Sequence, residues 1–299
     1  MTTLTFSHRH ARLGSTALPY ILLAPALLLL VCLTFIPLVY SILLSFFEGR
    51  LGYGFGNFVG LHNYANLLTE ERFWNAFGNT VVWVFGSVAS QIVLGVLLAV
   101  VLNKLQFARL FFRGALFFPW VMPVAVIAFL WRWILDPQNG IVNVSMRSAG
   151  IEDMAYFPWL TDPETAMGSA LIVNAWRGIP FILVMVLAAL QGIPKDEYEA
   201  AQLSGAGPLK EFWYVTLPNL RTILATLVLL RIMQISNNFS MMALLTNGGP
   251  AESTEIFPLL VYVKGFGSHL MGEASALGVL LLLFLLITAW AYFKLLKEK

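Results

Sequence analysis

Six apolar stretches, each about twenty residues or longer, limit what this chain can fold into. They lie near residues 18–47, 77–102, 114–135, 166–190, 219–245 and 274–296. A helix needs about 20 predominantly apolar residues to cross a bilayer, because each residue adds only about 1.5 Å of length. Charged residues make up 11% of the chain, against roughly 25% in soluble domains. The pattern therefore predicts an all-α integral membrane protein with six transmembrane helices. The first stretch is too long for a signal-peptide core, which needs about 7–15 residues, so it is kept as a span. Pro25 and Pro37 are expected to bend it. The expected organisation is a tail over 1–17 and one transmembrane domain over 18–299.

The positions of Lys and Arg orient the spans. Arg9 and Arg12 precede the first span, and Lys104, Arg109 and Arg113 lie between the second and third. Lys195, Lys210 and Arg221 flank the loop before the fifth, and Lys294, Lys297 and Lys299 end the chain. With six alternating helices all of these fall on one side. The loop over 136–164 carries Asp136, Glu152, Asp153, Asp162 and Glu164 against Arg147 alone. Both termini are thus expected in the cytoplasm.

Several kinds of chemistry are excluded or disfavoured. A net charge of +2 gives no reason to expect nucleic acid. Cys32 is the single cysteine, so no intrachain disulfide or cysteine metal cluster can form. His8, His10, His62 and His269 are dispersed; the first two belong to a solvated tail. No metal site is expected. There is no Gly-Lys dipeptide, hence no phosphate-binding Walker loop, and neither H-E-x-x-H nor G-x-S-x-G occurs. The chain is therefore not read as an enzyme. No carboxylate lies centrally in a span, which disfavours a proton-coupled secondary transporter.

One polar interruption, GIPKDEYEAAQLSGAGPLKEFWYVTLP over 192–218, predicts two short helices around a glycine turn. Pro194 and Pro208 suit helix starts, where no backbone N–H is needed. Ala200 and Ala201 favour helix and leave room for a close partner. Gly205 permits positive φ, and Phe212 and Trp213 are placed at the lipid headgroups. Glu199, Ala200, Ala201, Gly205, Val215, Leu217 and Pro218 form the pattern E-A-A, three residues, G, nine residues, V-x-L-P.

This pattern resembles the EAA loop of the membrane subunits of ABC importers. Ser204, often Asp in that family, and Val215, usually Ile, are its mild departures. The resemblance implies the type I importer permease fold. It also implies that Glu199, Ala200, Ala201, Gly205 and Pro218 couple the chain to an ATPase. FVGLHNYANLL (58–68), WRGIPF (176–181) and SNNFSMMALLTNGGP (236–250) are similar to segments of maltose-type sugar permeases.

Two arginines, Arg177 and Arg231, fall near the middle of the fourth and fifth spans. Each costs roughly 2.5–3.5 kcal/mol there on insertion scales, so neither is expected to face lipid. Arg231, Gln234 and Asn238, spaced i, i+3, i+7, share a helical face flanked by Asn237. The fourth span adds Asn174, Trp176 and Phe181 around Gly178 and Pro180. Such amides and guanidiniums either hydrogen-bond a sugar in a cavity or join helices to each other. The resemblance favours substrate contact, above all for Gln234, Asn238, Gly178 and Phe181. Residues 254–266, after the turn signal Asn247-Gly248-Gly249-Pro250, are expected to form a helix too short to span.

By that resemblance the chain is a permease subunit in a bacterial or archaeal inner membrane, importing a carbohydrate. The implied partners are a second, homologous permease, two ATP-binding cassette subunits and an extracytoplasmic binding protein. No cofactor is expected in this chain; ATP and magnesium would bind the ATPase subunits. The same machinery acting on glycerol phosphate or another polyol is the alternative, and a secondary transporter is a remoter one.

Overall fold

A computed structural model describes residues 18–104, 114 and 117–297. The tail with His8, His10, Arg9 and Arg12, the basic residues Arg109 and Arg113, and Lys299 lie outside the described residues.

The described chain is helical throughout its regular structure. α1 (Leu18–Leu30) passes through a π-helical turn, Val31–Phe35, into α2 (Ile36–Leu44). The turn sits between Pro25 and Pro37, as expected where ring nitrogens cannot donate to the helix ladder. α3 (His62–Thr69) leads into α4 (Glu71–Lys104), a continuous helix of 34 residues. α5 spans Val124–Ile134 and α6 spans Ile141–Ser148. α7 (Pro163–Leu190) follows, with the Asp162 side chain capping its start by accepting from the Glu164 N–H. α8 (Lys195–Leu203) and α9 (Pro208–Glu211) form the loop helices. α9 runs through a second π turn, Phe212–Thr216, into α10 (Leu217–Ser236). α11 (Phe239–Leu245), α12 (Phe257–Tyr262) with its π extension Val263–Gly267, and α13 (Met271–Lys297) complete the chain.

Among the described residues, five helical segments are long and apolar enough to cross a membrane: Leu22–Leu44, Glu71–Asn103, Pro163–Leu190, Pro208–Ser236 and Met271–Lys294. They match five of the six expected spans. The third is divided at Pro123, whose backbone is extended (φ −56°, ψ 140°) and opens α5. Eleven residues of α5 reach about 16 Å, half a bilayer core. The fifth expected span is also divided. α10 stops at Ser236, and Asn238 caps α11 by accepting the Met241 N–H. The short helix expected over 254–266 is present as α12 and its π extension.

α4 and α7 form the centre, packed along their length, with α10 against both. Gly95 allows this approach: a Cβ there would meet the Ile182 side chain. One apolar cluster joins Trp83, Val88, Val173, Ile232 and Met241; a second joins Val96, Ile182, Val186, Leu220 and Leu227. α1 and α2 lie at the edge of the bundle, where α2 meets α13, with Leu44 buried and nearly every other described side chain exposed. Such apolar exposure suits lipid or another membrane chain.

The end of the bundle where α4 begins is held by charge. Arg72 donates from Nε and Nη2 to the two carboxylate oxygens of buried Glu255, each at 2.7 Å. Asn75 and Asn79 donate to the Glu252 carbonyl at 3.0 Å. Lys264 donates to Glu70 at 2.6 Å and Glu273 at 2.7 Å. Burial works against its ammonium, but the two carboxylates more than offset this and raise its pKa.

Candidate functional site

The loop over 192–218 lies at the opposite end. Helix α8 ends in a Schellman turn. Ser204 is its C-cap, and Gly205 follows at φ +75°. The Gly205 N–H donates to the Gln202 carbonyl at 2.9 Å, and the Ala206 N–H to that of Ala201 at 3.0 Å. A Cβ on Gly205 would touch nothing within 4 Å, so the need for glycine is one of backbone angle, not of space.

Three polar contacts hold α8 against the following helix. Tyr198 Oη meets Thr216 Oγ1 at 3.1 Å, Asn219 donates to Glu197 at 2.6 Å, and Gln202 donates to Glu211 at 3.0 Å. Glu199, Ala200 and Leu203 make none of these contacts and are exposed. Leu203 is 90% exposed and Leu209 73%, which is unusual for leucines on ordered helices. Ala201 is half-buried and Pro218 exposed. Pro218 lacks the N–H that would continue the ladder, and the π turn lies immediately before α10. Trp213 is exposed as expected for a headgroup residue. Phe212 instead packs against the apolar cluster of α4, α7 and α10.

The second feature is a cleft of about 310 Å³ lined by Trp120, Arg177, Arg231, Gln234, Ile235, Asn237 and Asn238. Arg231 is clamped. Its Nε and Nη2 donate to Gln91 Oε1 at 2.8 and 2.5 Å, and Nη1 donates to Gln234 Oε1 at 2.7 Å. Gln91 in turn donates to the Asn174 carbonyl at 2.9 Å. Phe181 stands behind the cleft, its ring stacked on Trp120 at 5.9 Å and covered by the Arg231 guanidinium at 5.8 Å. Asn237 donates to the Met233 carbonyl at 2.9 Å.

Asn238 reaches the cleft by a route other than the expected one. The continuous i, i+3, i+7 face ends at Ser236, and the bend at Asn237–Asn238 places both residues in the lining of the cleft. Asn174 and Gly178 do not line it. Asn174 is buried and donates to Ser87 Oγ at 2.8 Å, joining α7 to α4. Gly178 makes room for the Gln91 amide. Gln91, Ser87 and Trp120 were not among the expected site residues. Ser87 and Gln91 sit four apart on α4, facing Asn174 and Gly178, also four apart, on α7; that matched spacing was the available signal.

Residues 91–297 match the family model described as the binding-protein-dependent transport system inner membrane component. The chain belongs to this family. Membership makes it a multi-pass inner-membrane transport subunit rather than an enzyme. Among its relatives, the probable ABC transporter permease protein YurN of Bacillus subtilis is 31% identical over 89% of this chain and 91% of that one. The diacetylchitobiose uptake system permease protein DasB of Streptomyces coelicolor is 33% identical over 94% and 87%. A permease-like fold is shared with a bacterial alginate ABC transporter, solved with its alginate pentasaccharide-bound periplasmic protein. There the TM-score is 0.81 at 22% identity, covering 94% of this chain and 96% of the other.

Proposed function

We propose that this chain is one translocating subunit of an ATP-driven importer for a carbohydrate, and that the cleft around Arg231 is where the sugar passes. Carrying this reading is the uninterrupted connection between the loop and the cleft. The helix that starts at Pro208 ends at Ser236, immediately beside Asn237 and Asn238. In the proposed mechanism Glu199, Ala200, Ala201 and Leu203 dock on an ATPase subunit, with Gly205 and Pro218 setting the angle of the loop. ATPase closure tilts α8 to α10 and opens the cleft outward. A loaded extracytoplasmic binding protein releases sugar into it, and hydrolysis restores the inward-facing state. Guanidinium and amide groups suit sugar hydroxyls, and Trp120, backed by Phe181, offers an aromatic surface to the sugar ring. The relative named for diacetylchitobiose uptake supports a carbohydrate, and the family description supports a binding protein. A second permease chain and two ATPase subunits complete the assembly.

The test pairs uptake with copurification of the ATPase from membranes. Gly205→Val forces a β-branched residue to positive φ at a cost of about 1–3 kcal/mol. Glu199→Lys reverses an exposed charge. Both variants should remain in the membrane, lose uptake and retain less ATPase, whereas substitutions at Phe55 or Thr161 should not. Normal uptake in both loop variants would refute the coupling role.

A further inference from the structure

The cleft carries two guanidiniums, Arg177 and Arg231, and no carboxylate lines it. Among the described residues, the ion pairs involve Arg50, Arg72 and Lys264, all remote from it in the fold. Arg231 is held by three hydrogen bonds, all to neutral amide oxygens of Gln91 and Gln234. These fix its position and leave its charge uncompensated. Gln91 is decisive here, because a glutamate has the same reach and would have neutralised Arg231. The buried position nearest the guanidinium is held by an amide instead.

Arg177 differs from Arg231. It is half-buried, its Nε is shielded from solvent, and among the described residues it has no hydrogen-bond or ion-pair partner. It lies one helical turn before Phe181, on the side of α7 that carries the aromatic pair. A buried donor without a partner costs free energy, and more so when charged. Two like charges facing one cleft raise that cost further. A neutral sugar would satisfy hydrogen bonds and leave both charges as they are. A ligand with an acidic group would supply the missing counter-charge, and a planar guanidinium fork matches a carboxylate, sulfonate or phosphate in shape.

Resting on the carbohydrate reading above, we infer that the translocated sugar is anionic and that Arg177 binds its acidic group, with Arg231 as a second, pre-oriented positive charge. Gln234, Asn237 and Asn238 then serve the hydroxyls.

The test uses the complete membrane complex, purified into lipid nanodiscs with its partner subunits and without binding protein, so that only the cleft selects. Equilibrium binding is measured for radiolabelled cellobiouronic acid, cellobiose and glycerol 3-phosphate. The two disaccharides differ by one carboxylate. The acid should bind about tenfold or more tightly than cellobiose, the scale of one charge-assisted hydrogen bond. Arg177→Gln should abolish that preference, bringing the affinity for the acid down to that for cellobiose; Arg177→Lys should keep part of it. Equal affinities, or a preference that survives Arg177→Gln, overturn the anionic assignment and leave the carbohydrate reading standing. Binding of glycerol 3-phosphate with neither disaccharide overturns the carbohydrate and keeps the anion. Binding of none of the three overturns both. Loss of the partner permease from the Arg177→Gln complex, with retention in Arg177→Lys, would show that Arg177 meets the partner chain, and would also overturn the inference.

Discussion

Replacing Gly178 with alanine tests the buried network behind the cleft. A Cβ at this position would lie well inside 3.0 Å of the Gln91 amide carbon, oxygen and nitrogen, a separation that real Cβ atoms essentially never show. Gln91 is fully buried and cannot yield by moving into solvent. If it swings aside, Arg231 loses both hydrogen bonds to Oε1 and the Asn174 carbonyl loses its donor. Counting the Arg231 pair as one charged hydrogen bond gives about 1.5–3 kcal/mol. Crowding adds about 1–3 kcal/mol, while the change from glycine to alanine within a helix returns about 0.5–1 kcal/mol. The expected net loss is about 2–5 kcal/mol. Gly168→Ala is the control on the same helix, since a Cβ there meets nothing within 4 Å; it should stabilise by about 0.5–1 kcal/mol. Unfolding of the purified complex, followed by heat or denaturant, reads both. In a Gln91→Ala background the obstruction is gone, and Gly178→Ala should then cost almost nothing. The reasoning fails if Gly178→Ala matches Gly168→Ala, or if its cost is the same with and without Gln91.

Two further outcomes follow from the opposite end of the bundle and from the loops. Arg72→Met leaves the buried Glu255 carboxylate without its bidentate partner and should destabilise by about 2–4 kcal/mol, the lower part of the range for broken buried pairs because Arg72 is partly exposed; Glu255→Gln, which removes the charge with it, should cost less, and thermal unfolding that ranks them in reverse contradicts this. In a Cys32→Ser background, single cysteines at Asp153 and Ala251 should react with an impermeant thiol reagent from outside and one at Gln202 should not. The opposite labelling would invert the chain in the membrane.

Features set by neighbouring residues were legible in the sequence. A span needs only enough apolar length, and the loop over 192–218 needs only Gly205 at positive φ and Pro208 at a helix start. The two divided spans were harder. Hydropathy is continuous through Met122–Pro123, so length alone joins what the backbone separates; the polar Ser236–Asn238 fit the polar face of one continuous helix as readily as a break. At Asn238 the side chain caps a new helix, a competition between amide and ladder that period counting ignores. Arg231 was correctly denied lipid, but its partner Gln91 lies 140 residues earlier in the chain. Which amide meets which guanidinium depends on the register of α4 against α7 and α10. Asn174, equally polar and equally central, fell to Ser87 for the same reason.

The run from Pro208 to Ser236 is one helix of 29 residues, with a π turn at Phe212–Thr216 and nowhere cut. Its length is about 43 Å, and Arg231 lies about 35 Å from its loop end. Mechanically it is a lever arm. A tilt of about 10° pivoted at one end sweeps the other through roughly 7 Å, more than the width of a sugar ring. The bend at Asn237–Asn238 stands at the tip of this arm, so under the proposed coupling a tilt of the arm is delivered at the cleft.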